Sequence, residues 1–274
     1  MTSFGFIGGG NMAEALIKGL MAKGGGDILV SEPVEHRRKY LEETYRVRIT
    51  ASNQEAARGA EIIVIAVKPQ VIGQALADIK DAFGAGQKGK KLAVSIAAGI
   101  RLAYLAEKLG TENVVRAMPN TPALAGLGMT VLSMREGIFP EDGQDSGLFA
   151  RVKEIFMSVG KVLVMQEKYM DAVTALSGSG PAFFALFVEG LVEGAVRQGL
   201  PHEEALELAL QTAAGTIKML GDGMDTVRLR TMVTSPGGTT QAGLNVLEGR
   251  GFKDILYDTI EAAAGRAEEL SRGF

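Results

Sequence analysis

At 274 residues with 46% apolar side chains, the chain is long enough for two domains, or one large one, and can fill a sizeable core. A net charge of −3 gives no reason to expect a nucleic-acid or membrane-surface partner. The absence of cysteine excludes disulfides, thiol nucleophiles and thiolate metal sites, and with only two histidines, His36 and His202, no metal site is expected.

The first predicted strand, Phe4-Gly5-Phe6-Ile7, leads straight into Gly8-Gly9-Gly10-Asn11-Met12-Ala13. This is the G-x-G-x-x-A form of the dinucleotide fingerprint, set between a strand and an amphipathic helix, the context such a motif requires. Gly8 suits the tight turn, Gly10 lets a pyrophosphate approach the backbone, and Ala13 lets the helix pack close to the strand. The first N–H groups of the helix then face the phosphates. A purely structural tight turn is the competing reading. Because the first residues already form a strand, no signal peptide is expected. No unbroken apolar run reaches membrane-spanning length, so a soluble, cytoplasmic protein with no membrane partner is the expectation.

Up to about Met165, short β-prone runs alternate with helical patterns. Strands are predicted at Ser3–Ile7, Ile28–Ser31, Arg48–Thr50, Ile62–Val67, Leu92–Ile96, Val114–Ala117, Met129–Ser133 and Lys161–Met165. Helices fit between them at Asn11–Lys23, Glu35–Tyr45, Gln70–Phe83, Arg101–Leu109 and Glu141–Ser158, with a short one started at Asn53 by the capping-box spacing of Ser52 and Glu55. The run from Ile62 to Val67 is continuous and β-branched, as in a strand buried on both faces. The alternation predicts an α/β fold with a doubly wound, Rossmann-like sheet, whose ligands lie beyond the carboxyl ends of its strands.

Each strand end is therefore a candidate lining. Ser31-Glu32 closes the second strand, and Glu32 lies 22 residues after Gly10, near where an acid binds the adenosine ribose. Such an acid favours NADH, whereas His36, Arg37 and Arg38 just beyond it suit a 2′-phosphate, so the preference between NADH and NADPH stays open. The fourth strand ends in Ala66-Val67-Lys68-Pro69, which puts Lys68 near the expected ribose or pyrophosphate, or merely in an exposed loop. After the sixth strand, Pro119 and Pro122 stiffen a loop that presents Asn120 and Thr121, either to hold a flat amide such as nicotinamide or as a plain turn.

Beyond Met165 the pattern is helical: Glu167–Leu176, Pro181–Gln198, Pro201–Leu220, Thr226–Met232, Gln241–Gly249 and Lys253–Arg272. The helix from Pro181 is apolar nearly all round and must be buried on every side, which suggests a dimer interface or, alternatively, the core of a single-chain bundle. Two glycine-rich loops carry polar groups, Ser177-Gly178-Ser179-Gly180 and Thr234-Ser235-Pro236-Gly237-Gly238-Thr239-Thr240. The second offers free N–H groups, two hydroxyls and a helix dipole, a set sized for a carboxylate, although helix capping by Thr239 or Thr240 is the plainer alternative.

A nicotinamide enzyme that reduces a ketone needs a His, Lys or Tyr to protonate the alkoxide, and neither histidine is well placed. A protonated imine already carries that proton and needs only orientation, carboxylate binding and a hydride. The motifs GFIGGGNMAEA, AVKP, RAMPNTP, LSGSGPAF and MVTSPGGTTQAGLNVLE, in this order, make the chain resemble the pyrroline-5-carboxylate reductase family over essentially its whole length.

The resemblance implies reduction of 1-pyrroline-5-carboxylate to L-proline by NADPH or NADH, the last step of proline biosynthesis. It implies a dinucleotide-binding domain at 1–165, then an all-α domain at 166–274 that binds substrate and dimerises, with larger rings of dimers known in the family. Carried over, the cofactor contacts fall on Gly8, Gly9, Gly10, Asn11, Met12, Asn53, Ala66, Val67, Lys68, Pro69 and Asn120, beside Ser31 and Glu32 read from the strand end. The substrate carboxylate falls to Gly238, Thr239 and the Ser177, Gly178, Ser179, Gly180 segment, and Thr240 matches the threonine that meets the ring nitrogen. Glu32 departs from members that favour NADPH. A β-hydroxyacid dehydrogenase is the alternative enzyme, but its lysine after the glycine loop has no counterpart in Pro181-Ala182-Phe183-Phe184. A nucleotide-sensing protein without turnover is the non-enzymatic alternative.

Overall fold

The structure, a computed structural model, describes residues 3–84, 91–135 and 147–273. It divides into two compact units, Met1–Ser179 with Ala263–Phe274, and Gly180–Ala262.

The first unit is a Rossmann-like α/β layer structure. Its strands are β1 (Ser3–Ile7), β2 (Asp27–Ser31), β3 (Arg48–Thr50), β4 (Ile62–Ile65), β5 (Leu92–Ser95), β6 (Val114–Met118), β7 (Gly128–Met134) and β8 (Gly160–Val164). They form one sheet in the order β3-β2-β1-β4-β5-β6-β7-β8. Side chains alternate across it. Phe4, Phe6, Ile62 and Val64 join one core with the helices α1 (Asn11–Ala22), α2 (Glu35–Tyr45) and α6 (Leu148–Met157). Ile7, Ile63 and Ile65 join the other with α3 (Asn53–Arg58), α4 (Ile72–Ile79) and α5 (Leu102–Leu109). Burial on both faces explains why β4 is uninterrupted aliphatic sequence. The chain order reverses between β1 and β4, which opens a crevice at their carboxyl ends.

Several expectations need adjustment. The β4 strand stops at Ile65, leaving Ala66 and Val67 outside the sheet. The Gln70–Phe83 helix is α4 with a 3₁₀ turn at each end, Pro69–Val71 and Lys80–Phe83. Of the Glu141–Ser158 helix, Leu148–Met157 is observed, while residues 141–146 lie outside the described residues. Strand β7 runs antiparallel to β6, because the link between them, Pro119 to Leu127, is too short for a crossover helix. The capping box at α3 is half made: Ser52 Oγ accepts from Glu55 N, but the Glu55 carboxylate accepts from the Thr50 hydroxyl instead.

Helix α7 (Met170–Val173) is followed by α8 (Gly180–Arg197), α9 (His202–Gly221), α10 (Thr226–Met232), α11 (Thr239–Gly249) and α12 (Phe252–Ser271). The expected Ser177–Gly180 loop is not a loop. Thr174–Gly178 forms a π-turn, with Ser179 N donating to Thr174 O at 2.9 Å, and α8 starts directly at Gly180. The cause is local: Pro181 has no N–H for the carbonyl of Ser177, and its ring crowds that carbonyl, so the ladder widens by one residue. The resulting helical run, Glu167–Arg197, is long and apolar enough by length and composition to cross a membrane. Counting unbroken apolar residues hid this, since Glu189 and Glu193 interrupt the run without changing its average much.

The second unit has almost no core of its own. Its buried apolar side chains are Val192 and Ala205, while Phe184, Leu186, Leu208 and Ile217 are all more than half exposed. A helix expected to be buried on every side is thus left bare within the chain. That much apolar surface calls for a partner. In a dilution series by analytical ultracentrifugation, no folded monomer is expected at micromolar concentration; a stable one would rule out this surface as an obligate interface.

Candidate functional site

The glycine turn sits in the crevice, and its three glycines serve different ends. Gly8 has a positive φ of +98°, and a Cβ there would lie 2.7 Å from Ala66 O. A Cβ on Gly9 would lie 2.6 Å from Leu41 Cδ1. A Cβ on Gly10 would meet no protein atom within 4 Å. Folding therefore accounts for Gly8 and Gly9, while the space over Gly10 is open to a ligand. Gly10 is also the N-cap of α1, whose first turn carries no side-chain cap. The N–H groups of Asn11 and Met12 are thus available to an anion, as a pyrophosphate needs. The uncapped turn and the space over Gly10 fit a dinucleotide.

Contacts bring the β2 end against this turn. Gly8 N donates to Ser31 O at 2.8 Å, and Gly9 N donates to Glu32 Oε2 at 2.9 Å. Glu32 Oε1 accepts from Val34 N at 3.0 Å. Each carboxylate oxygen therefore keeps one lone pair for a ribose hydroxyl. Arg37 and Arg38, which follow, make contacts within the protein. Arg37 donates through Nε to Gly9 O at 2.7 Å and pairs with Glu14 at 2.5 Å, while Arg38 donates to the carbonyls of Glu32 and Pro33 at 2.6 and 2.8 Å. Burial alone would raise the Glu14 pKa, but hydrogen bonds from Tyr45, Arg37 and Tyr40, with the Arg37 charge, outweigh it and hold the carboxyl below its usual range. Burial and that carboxylate in turn push the Tyr45 phenol up. This cluster braces the glycine turn through Arg37, a role the sequence pattern gave no sign of.

After β4, Ala66 N donates to Ile7 O at 2.8 Å, which seats Ala66, Val67, Lys68 and Pro69 beside the turn, with Lys68 exposed. Farther along the edge, Asn120 is tied up internally. Its Nδ2 donates to Ser177 O and Ser177 Oγ, both at 3.2 Å, and its Oδ1 accepts from Met129 N at 2.8 Å. The orphan carbonyl that Pro181 leaves on Ser177 is thus satisfied by Asn120. The same amide fixes the π-turn. Gly178 allows this packing, since a Cβ there would strike Met118 Cε.

A group that the sequence reading missed lies beneath. Arg116, buried on β6, pairs with Glu167 at 3.2 Å and Asp171 at 3.5 Å. Glu167 also accepts from Leu102 N at 2.7 Å, and Asp171 from the Ser271 hydroxyl at 3.3 Å. The available signal was an arginine in the middle of an otherwise apolar strand.

In the second unit, α11 starts at Thr239, two residues before its expected start. Gly238 is its N-cap, and no side chain caps it, so capping by Thr239 or Thr240 does not occur. Gly237 takes a φ of +71°, and its N–H donates to Gln241 Oε1 at 2.6 Å. The first N–H groups of α11, with the Thr239 and Thr240 hydroxyls, form a neutral donor set suited to a carboxylate. Among the described residues, no cluster of His, Asp and Glu is placed to hold a metal ion.

Residues 167–270 match the family model described as pyrroline-5-carboxylate reductase dimerisation, and residues 3–99 match one described as NADP oxidoreductase, coenzyme F420-dependent. The pyrroline-5-carboxylate reductase of a Synechocystis species is 42% identical over 98% of both chains. The chain belongs to the pyrroline-5-carboxylate reductase family. The member from Coxiella burnetii has a solved structure of 35% identity, covering 98% of both chains, with a TM-score of 0.88. A pyrroline carboxylate reductase of Plasmodium falciparum, solved with NADP bound, is 33% identical over 98% of both chains, with a TM-score of 0.84. Membership of this family assigns an NAD(P)-type oxidoreductase fold to the first half and oligomerisation to the helical half, whose bare apolar helices lie within the dimerisation match.

Proposed function

We propose that this protein reduces 1-pyrroline-5-carboxylate to L-proline, the last step of proline biosynthesis. The observation that carries the proposal is the uncapped start of α11 behind Gly237-Gly238, which offers donors for a carboxylate with a hydroxyl beside them. Residues 1–165 take the dinucleotide, and residues 166–274 take substrate and dimerise, the dimer being the unit from which larger rings would be built. Gly238 and Thr239 bind the carboxylate at the uncapped start of α11, where the Gly238 N–H itself donates to Ser235 O at 3.0 Å and the donors are the N–H groups from Thr239 onward, and Thr240 orients the ring nitrogen. Ser177, Gly178, Ser179 and Gly180 are assigned to substrate binding by the family resemblance. Gly8, Gly9, Gly10, Asn11 and Met12 hold the pyrophosphate, while Ser31, Glu32, Asn53, Ala66, Val67, Lys68, Pro69 and Asn120 line the remainder. When bound, the nicotinamide supplies the hydride. The protein orients a substrate that already bears its proton, which explains why no histidine or lysine is needed. Mixing protein, NADH and a panel of cyclic imino acids, and following nicotinamide absorbance, tests this. Turnover only with a 2-hydroxy acid would instead favour a β-hydroxyacid dehydrogenase, and no turnover at all would favour a sensor.

The cofactor is NADPH or NADH, and Glu32 leans the choice to NADH. Each Glu32 carboxylate oxygen accepts one backbone N–H and keeps a lone pair for a ribose hydroxyl, and Arg37 and Arg38 direct donors at backbone carbonyls and Glu14. Glu32→Ser is expected to shift the ratio of kcat/KM values toward NADPH by about 1–3 kcal/mol, the range for a hydrogen bond to a charged group. A ratio that stays put would transfer the choice to His36, Arg37 and Arg38.

A further inference from the structure

Ser31 closes β2 with its hydroxyl donating to Asn53 Oδ1 at 2.7 Å. Asn53 opens α3, and its Nδ2 donates to Asp78 Oδ2 on α4 at 2.9 Å. One turn earlier on α4, Gln74 donates to the other oxygen of Asp78 at 2.8 Å. These bonds settle which way the Asn53 amide points. An ionised carboxylate only accepts, so the amide nitrogen must face Asp78 and the amide oxygen must face Ser31.

The orientation bears on the ligand because Ser31 and Glu32 stand where a Rossmann sheet meets the adenosine ribose. A hydroxyl there needs an acceptor, which Glu32 provides. A 2′-phosphate needs donors and tolerates no nearby negative charge. Yet the Ser31 hydroxyl hydrogen and an Asn53 amide hydrogen are both turned into the protein, and the group that turns the amide is itself a carboxylate. We infer that Asp78 is a specificity-determining residue: it holds Asn53 away from a 2′-phosphate and, with Glu32, sets a second negative charge against it. This rests on the dinucleotide reading of the first unit. Asp78 acts through Asn53 and through its field.

Two substitutions separate these actions. Asp78→Asn keeps an acceptor for Asn53 and removes the charge, whereas Asp78→Ala also frees the amide. Titration calorimetry with NADH and NADPH, and with 5′-AMP and adenosine 2′,5′-bisphosphate as adenosine-end probes, reads both. The NADPH-to-NADH affinity ratio is expected to rise about tenfold in Asp78→Asn, the scale of one partly screened charge, and further in Asp78→Ala. The bisphosphate should gain relative to 5′-AMP in the same order. A circular dichroism spectrum matching the unsubstituted protein guards against misfolding, and Asp78→Asn, which preserves the packing, decides the matter if Asp78→Ala fails to fold. Unchanged ratios in a folded Asp78→Asn that still binds NADH would overturn the role of Asp78 alone. Failure of the unsubstituted protein to bind either dinucleotide would overturn the dinucleotide reading as well.

Discussion

Thr240→Val is expected to lower turnover on the order of 10²-fold while leaving NADH affinity unchanged. Losing one oriented donor or acceptor in a transition state typically has that effect. The substitution is clean for physical reasons. Valine and threonine share a β-branched shape and similar stiffness in a helix. No side-chain cap is lost, because Gly238 rather than a threonine caps α11. The glycine turn belongs to the other compact unit, so cofactor binding reports independently on the fold. Steady-state kinetics with 1-pyrroline-5-carboxylate, together with calorimetric NADH binding, makes the comparison. Near-normal turnover would remove Thr240 from the catalytic role and leave the site with backbone anchoring alone.

At the other site, Gly10→Val is expected to abolish dinucleotide binding in a protein that still folds. The backbone at Gly10 has φ −69° and ψ −178°, which any residue adopts, and the space over it is open. An isopropyl group there would stand where the pyrophosphate must approach the first turn of α1. A loss of at least about 10²-fold in affinity, close to 3 kcal/mol, is the expected scale. The same change at Gly8 is expected to damage the fold instead, because of its positive φ and because its Cβ would lie 2.7 Å from the Ala66 carbonyl oxygen. Calorimetry and circular dichroism on both variants distinguish a ligand requirement from a folding one. Unchanged NADH affinity in folded Gly10→Val would mean that the pyrophosphate does not cross this residue.

Much of this was legible from one chain because the signals are short-range. Alternating β-prone runs and helical periods lie within windows of a few residues, and β1, β3, α2 and α10 have the boundaries their patterns predict. The fingerprint is local as well: a strand, a turn of three glycines and a helix start are neighbours in sequence. The π-turn was missed although its cause, Pro181, was in view, because a glycine-serine run followed by proline has the composition of a loop. Placing α11 two residues late had a similar origin, since paired threonines after paired glycines look like caps.

The sequence by itself determined the doubly wound sheet, the glycine turn at its edge, a helical half too apolar to stand alone and the order of motifs that marks the family. Only the tertiary structure decided who pairs with whom. Asn120 meets Ser177 across 57 residues of chain, Arg116 meets Glu167 across 51, and Asn53 meets Asp78 across 25. It also decided that Arg37 donates to Gly9 O and Arg38 to the carbonyls of Glu32 and Pro33. The physical reason is that propensity and periodicity are properties of a few adjacent residues. The direction of a side chain's hydrogen bonds depends on which unsatisfied donor or acceptor the fold brings within reach.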